Sequence, residues 1–366
     1  MSVGYARSVR HSLYRAGSLL ALSCPVIGLG IACSSFQDEP PAEATSEAGP
    51  EGGDAGVPVD EGGGSDVVAI DAGPIVCPSS ACVVLAPTEA NAREIAADAD
   101  RVYWTVATSG SGAVRSVPIV GGSVRTVSGP EDQPKSFQLF NDSVYYATGS
   151  AAHQVKKNGT TDAGAKLAAA SGGGEVSSVA RHGGSLFFTF EYLLARCAVA
   201  NVPCNGSSAT FSVGEGARAL APAPDAPPYL AHANAIWQAD DVTPPQLRFQ
   251  VANVRTLLVD DKRVYFLRTG VAAVESLLRS DSPTTTPTRL ATASAEPRAM
   301  AIDSTDLFFT TLEDGTVTRV SKFGPSAPVV VVKGLVAPQG VAVSADRIFV
   351  VDESRIVSIP KPPKGI

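Results

Sequence analysis

The chain has 366 residues, a formal net charge of −7 and only 18% charged side chains. This length allows one to three domains. The charge balance lacks the basic footprint that nucleic acid demands, and the one long apolar run is shorter than the ~20 residues of a membrane-crossing helix.

In chain order, the first feature is a targeting segment at residues 1–33. Arg7, Arg10 and Arg15 form a positive start, and an apolar run follows from Leu19 to Ile31. That order predicts a secretory signal peptide. Its end, Gly30-Ile31-Ala32-Cys33, resembles the bacterial lipoprotein signal, in which small residues directly precede the cysteine. The resemblance implies lipidation at Cys33, export, and a lipid-anchored place in the bacterial cell envelope, at the outer membrane or cell surface. It departs from the family at Gly30, where leucine is usual. Ordinary signal cleavage is the alternative.

Residues 34–76 predict a disordered linker. Gln37–Pro74 carry ten Asp/Glu and no Lys/Arg, with many Pro and Gly. Such a segment cannot bury enough apolar surface to order itself. As a flexible coil it spans about 35 Å. The ten acids, less the three arginines of the signal, account for the whole net charge of −7. The domain at 77–366 is therefore close to neutral. Its cysteines, Cys77, Cys82, Cys197 and Cys204, allow three pairings. The short loops favour Cys77–Cys82 and Cys197–Cys204, each stabilising by about 2–2.5 kcal/mol. Their spacing does not match a zinc knuckle, and an exported chain favours disulfides.

The domain opens on a repeat. Arg101–Val106, "RVYWTV", recurs as "VYYA", "LFFTF", "VYFL", "LFFTT" and "IFVV". The leading aromatics Tyr103, Tyr145, Phe187, Tyr265, Phe308 and Phe349 lie 42, 42, 78, 43 and 41 residues apart. The gap of 78 holds a degenerate copy at Tyr229. Before each aromatic lies a short strand such as "EIAAD" or "AMAID", and after it come two more, such as "TVTRVSK" and "VVVVKG". Four strands in a unit of 40–45 residues predict a β-propeller, here all-β with seven blades. The continuous apolar runs fit strands covered on both faces, so Tyr103 and Trp104 should point into opposite layers between blades. The seventh unit lacks a fourth strand, and "VVLAP" at Val83–Pro87 stands unassigned before the first. It is expected to complete the seventh blade and close the ring.

Glu296–Gly324 is similar to YWTD and NHL propeller repeats, and to repeats of predicted bacterial lipoproteins. The match carries Pro297, Asp303, Phe308-Phe309, Gly315 and the strand Val317–Val320. "RVYWTV" departs from it at Val106, where the YWTD string has Asp. The resemblance spans roughly Val83–Pro360 and implies a fold rather than a function, because propellers serve many functions.

Catalytic signatures are absent: no Gly-x-Ser-x-Gly, His-Glu-x-x-His, phosphate loop or dinucleotide fingerprint occurs. The histidines of the domain are His153, His182 and His232. One pattern points to binding. The residue at the start of each first strand is Arg93, Lys135, Ser177, Arg218, Arg255, Arg298 and Gln339. Five cations around one channel mouth would focus potential for an anion. Ion pairs between blades are the competing role, because loops on that face carry Glu131, Glu175, Glu191, Glu215, Glu296 and Asp352 among others. The expectation is a monomeric, non-catalytic binding module for protein or glycan, with no cofactor or metal, no nucleic acid, and membrane contact through the lipid alone. The alternative is a lactonase-like hydrolase or a virginiamycin-lyase-like enzyme acting at the channel mouth. His153 beside Glu191 is the best candidate pair for the lyase.

Overall fold

The computed structural model describes residues 82–159, 164–169, 175–190, 193–199, 204, 209–213, 219–240 and 243–363. The predicted signal peptide, the linker, Cys33, Cys77, Glu191, Glu215 and Arg218 lie outside these residues. The described strands form seven four-stranded antiparallel sheets. Their innermost strands, taken as blades 1 to 7, are Ala92–Ala97, Lys135–Phe140, Val176–His182, Ala219–Ala221, Val254–Val259, Pro297–Ile302 and Pro338–Val343. Each contacts the innermost strands on both sides, so the seven close a ring around a central channel.

The ring closes as the sequence predicts. Val83–Ala86 pairs with Arg355–Pro360, placing the first strand at the outer edge of blade 7. Leu85 and Ala86 are buried there beside Trp104 and Val351. The degenerate copy is a true blade, in which Tyr229 opposes Ala221 as Tyr103 opposes Ala96.

The second strand of each blade is covered on both faces. Tyr103 packs with Val144 and Tyr146 of blade 2, while Trp104 packs with Phe349 and Val351 of blade 7. Trp104 is 0% exposed, and burying an aromatic of its size contributes about 5 kcal/mol. Its indole N–H donates to Glu89, 2.9 Å away, which also takes Arg115. Glu131 does the same for blade 2, accepting from Ser128, Tyr146 and Gly164 N–H.

On the face opposite the strand starts, the blades are clasped together. Asp98, Asp260 and Asp303 each close the turn after an innermost strand by accepting two backbone N–H bonds. The other carboxylate oxygen of each reaches a lysine of the next blade. Asp98–Lys157 is 2.9 Å, Asp260–Lys322 2.9 Å and Asp303–Lys361 2.6 Å. Lys157 and Lys361 also lie over the rings of Tyr103 and Phe308. Asp225, Tyr229 and Arg279 repeat the arrangement between blades 4 and 5. The leading aromatic of the repeat is thus a platform for its neighbour's cation.

Cys197–Cys204 forms the expected disulfide, and Cys204 N–H bonds Leu167 of blade 2. Cys82 is disulfide-bonded, and its expected partner Cys77 lies outside the described residues.

Candidate functional site

An innermost strand has one paired edge and one edge facing the channel. In six blades its pairing slips near the start of the strand. A bulge of this kind bends the strand and re-aims a side chain. The bulges contain Arg93, Ser177, Arg255, Arg298 and Gln339, and Lys135 is the last paired residue before the bulge of blade 2. The bulge thereby turns the position noted in the sequence toward the mouth. Threonines of the second strands complete it. Thr105 Oγ1 accepts Glu94 N–H, Thr310 Oγ1 accepts Ala299 N–H, and Thr189 bonds Ser177. All three are 0% exposed. The Thr of "YWT" therefore holds the bulge behind the site.

The channel encloses a cavity of about 720 Å³ lined by the innermost strands of all seven blades. Four of the five predicted cations line it: Arg93, Lys135, Arg255 and Arg298. The fifth, Arg218, lies outside the described residues.

The cations differ in their surroundings. Lys135 pairs with Glu175 of blade 3. Burial holds its ammonium below the usual range, with Glu94 and Asp132 acting in the other sense. Arg255 pairs with Glu296 at 2.9 Å and donates to the Pro297 carbonyl. Its guanidinium is lowered by desolvation, which Glu296 opposes and the charge of Arg298 reinforces. Arg298 Nε donates to Gln339 Oε1 at 3.3 Å. These bonds run from one blade to the next, as expected for structural pairing, yet the side chains remain at the cavity wall.

Sequence reasoning passed over Glu94. It stands beside Arg93 and accepts Ser136 N–H at 2.8 Å and Phe137 N–H at 3.1 Å. Enclosure in the channel raises its carboxyl above the ordinary value, against the pull of those N–H groups and Lys135. Ser136 and Ser178 occupy the equivalent place in blades 2 and 3. Ser136 Oγ accepts Val179 N–H, Ser178 Oγ accepts Leu220 N–H, and the two hydroxyls bond each other at 2.8 Å. Three successive blades thus cap the free backbone of the next. The signal available in the sequence was a polar residue at a fixed repeat position, in strands otherwise read as apolar.

No described histidine lines the channel cavity. His153 lies in a third strand, stacked on Tyr146, with its ring nitrogens 3.2 Å from Thr148 Oγ1 and the Gly164 carbonyl. His182 closes a turn opposite Ser185, and His232 one opposite Ala235. Other predicted acids are built into the loops: Asp352 is 0% exposed and binds Arg355 and two backbone N–H groups.

No protein-family profile and no curated protein matches the chain. Solved structures do. A streptogramin B lyase aligns over 76% of this chain and 96% of its own, with a TM-score of 0.62 and 10% identity. A catalytically inactive virginiamycin B lyase from Staphylococcus aureus with quinupristin aligns over 77% and 98%, with a TM-score of 0.61 and 13% identity. The WD40 propeller domain of Doa1 aligns over 77% and 96%, with a TM-score of 0.56 and 14% identity. The likeness at these identities is one of fold, and the chain is a β-propeller.

Proposed function

We propose that this chain is an exported, lipid-anchored propeller with YWTD/NHL-like repeats that serves at the bacterial cell envelope as a monomeric, non-catalytic binding module for protein or glycan. The channel mouth is its binding site. The observation that carries this reading is the set of bulges that bring Arg93, Lys135, Arg255 and Arg298 to one solvent-open cavity. A hydrolase or lyase would need an acid–base group poised at that mouth. No described histidine lines it, and Glu94, the described carboxylate at the cavity wall, is held by the Ser136 and Phe137 N–H groups, so the binding reading is preferred to the enzymatic one.

The test is a glycan and peptide array probed with the full chain in detergent. A ligand that binds, and is lost when the four described cations are replaced by glutamine, supports the reading. Turnover of a bound ligand would replace it with the enzymatic one. Fractionation tests the anchor: Cys33→Ser should move the protein from membranes to the soluble fraction, and unchanged fractionation refutes lipidation.

A further inference from the structure

Among the described residues, the cations of the mouth without a carboxylate partner lie in one arc. Lys135 and Arg255 have carboxylate partners. Arg93 and Arg298 have none among the described residues. Gln339 lies between them in the ring. Its Oε1 accepts from Arg298, and its neighbour Gly340 is so close to blade 1 that an added Cβ would stand 2.6 Å from the Arg93 carbonyl oxygen. Glu94, next to Arg93 in the chain, is committed to the N–H groups of blade 2. Blades 6, 7 and 1 therefore carry two guanidinium groups and the Gln339 amide N–H₂ at successive positions of the ring, with spare donors.

Resting on the channel mouth as the binding site, we infer that this arc recognises the acidic group of a glycan, a carboxylate or sulfate carried on a sugar. Guanidinium groups match such planar or multi-oxygen anions with paired N–H bonds. The wall beyond the arc carries Ser136, Gln138, Ser177 and Ser178. All four already bond other residues, and what capacity they keep, such as the second amide N–H of Gln138, suits sugar hydroxyls. Phe137 is the one aromatic side chain among the described lining residues. The wall also carries aliphatic side chains such as Leu139, Leu257 and Met300, which would suit the apolar anchors of a peptide, so an acidic peptide is the competing occupant that the probes below separate.

Calorimetry on the full chain in detergent tests the assignment with four probes: tetragalacturonate, its methyl ester, dextran sulfate and oligoglutamate. Tetragalacturonate or dextran sulfate should bind, which separates carboxylate from sulfate. Arg93→Gln and Arg298→Gln should each weaken that binding about tenfold, and Lys135→Ala or Arg255→Ala less than about twofold. Unchanged melting temperatures establish that the variants are folded. Equal losses in all four variants would overturn the arc in favour of a symmetric ring. Equal binding of the methyl ester would overturn recognition of the acid. Binding of oligoglutamate alone would overturn the glycan and leave the mouth as a site. Failure of every probe would overturn the acidic glycan, with the array deciding separately on the mouth.

Discussion

The clasps between blades give the sharpest quantitative test. Asp260 is held by four groups: Lys262 N–H at 2.9 Å, Arg263 N–H at 2.7 Å, Tyr265 OH at 2.9 Å and Lys322 Nζ at 2.9 Å. Asp260→Asn keeps an acceptor for the turn, and its new N–H₂ can donate to the Tyr265 hydroxyl oxygen in place of the bond that Asp260 accepted. It cannot accept from Lys322. The Lys322 and Asp260 side chains are only 10% and 13% exposed, so the ammonium is left desolvated and unpaired. Losing one charge-assisted bond and stranding a mostly buried charge should cost about 3 kcal/mol. With a urea m-value of about 3 kcal/mol/M for a domain of this size, the unfolding midpoint falls by about 1 M.

Solvent access should rank the equivalent substitutions. Lys361 and Asp303 are 12% and 17% exposed, and Lys157 and Asp98 are 21% and 26%. Asp303→Asn should then cost about 2 kcal/mol and Asp98→Asn about 1 kcal/mol as water screens the stranded lysine. Adding Lys322→Met to Asp260→Asn removes the stranded charge and should restore about 1–2 kcal/mol. Urea denaturation followed by tryptophan fluorescence reads all of these. A midpoint for Asp260→Asn within about 0.2 M of the parent, or a double variant as unstable as the two singles summed, would refute the clasp as a stabilising pair.

The same clasps predict acid sensitivity. Desolvation pushes the Asp98, Asp260 and Asp303 carboxyls up, but their N–H and lysine partners outweigh it and hold each below its ordinary value. A depressed folded value stabilises above the unfolded value and loses that contribution as pH falls through the folded one. The urea midpoint should drop below about pH 4, less steeply in Asp260→Asn, and equal slopes would contradict this. Gly315 sits at φ +58, and an added Cβ would lie 2.0 Å from the Leu335 carbonyl oxygen. Gly315→Ala should destabilise by at least about 2 kcal/mol in the same assay, since backbone must move. Leu85→Ala empties part of the seam where the first strand closes the ring. It should cost about 2–3 kcal/mol and raise hydrogen exchange in Arg355–Pro360, and unchanged exchange there would argue against the seam as the weak point.

Blade number, closure and the two-faced burial of "VYW" were legible because each follows from a local pattern repeated at a fixed period. Tyr229 could be placed despite its weak context because the 78-residue gap between Phe187 and Tyr265 spans two repeat units. The partners of the repeat were not legible. Lys157, Lys322 and Lys361 lie 59, 62 and 58 residues beyond their aspartates, and only the packing of neighbouring blades brings them together. The cation position could be read as a column, but its direction could not. It depends on bulges whose sequence mark is a buried Thr one strand away. Glu94 was hidden for a similar reason, since a strand reading assigns it to a face without showing the free edge that it caps.

The mouth's asymmetry follows from this capping position. Blades 1, 2 and 3 fill it with Glu94, Ser136 and Ser178, whose oxygens each take an N–H of the following blade. Blades 6 and 7 fill it with Ala299 and Gly340, which have no side-chain oxygen to offer. Side-chain caps on the backbone of the next blade therefore run from blade 1 to blade 4, and blades 6 and 7 have no side-chain oxygen at that position to make one. Arg298 and Gln339 start the strands of that second half, and Arg93 begins the next blade against Gly340. A seven-fold repeat would spread its charge evenly around the axis. Here, among the described residues, the two guanidinium groups without a carboxylate partner, Arg298 and Arg93, flank blade 7 with its uncapped Gly340, so a ligand that they held would lie off the axis.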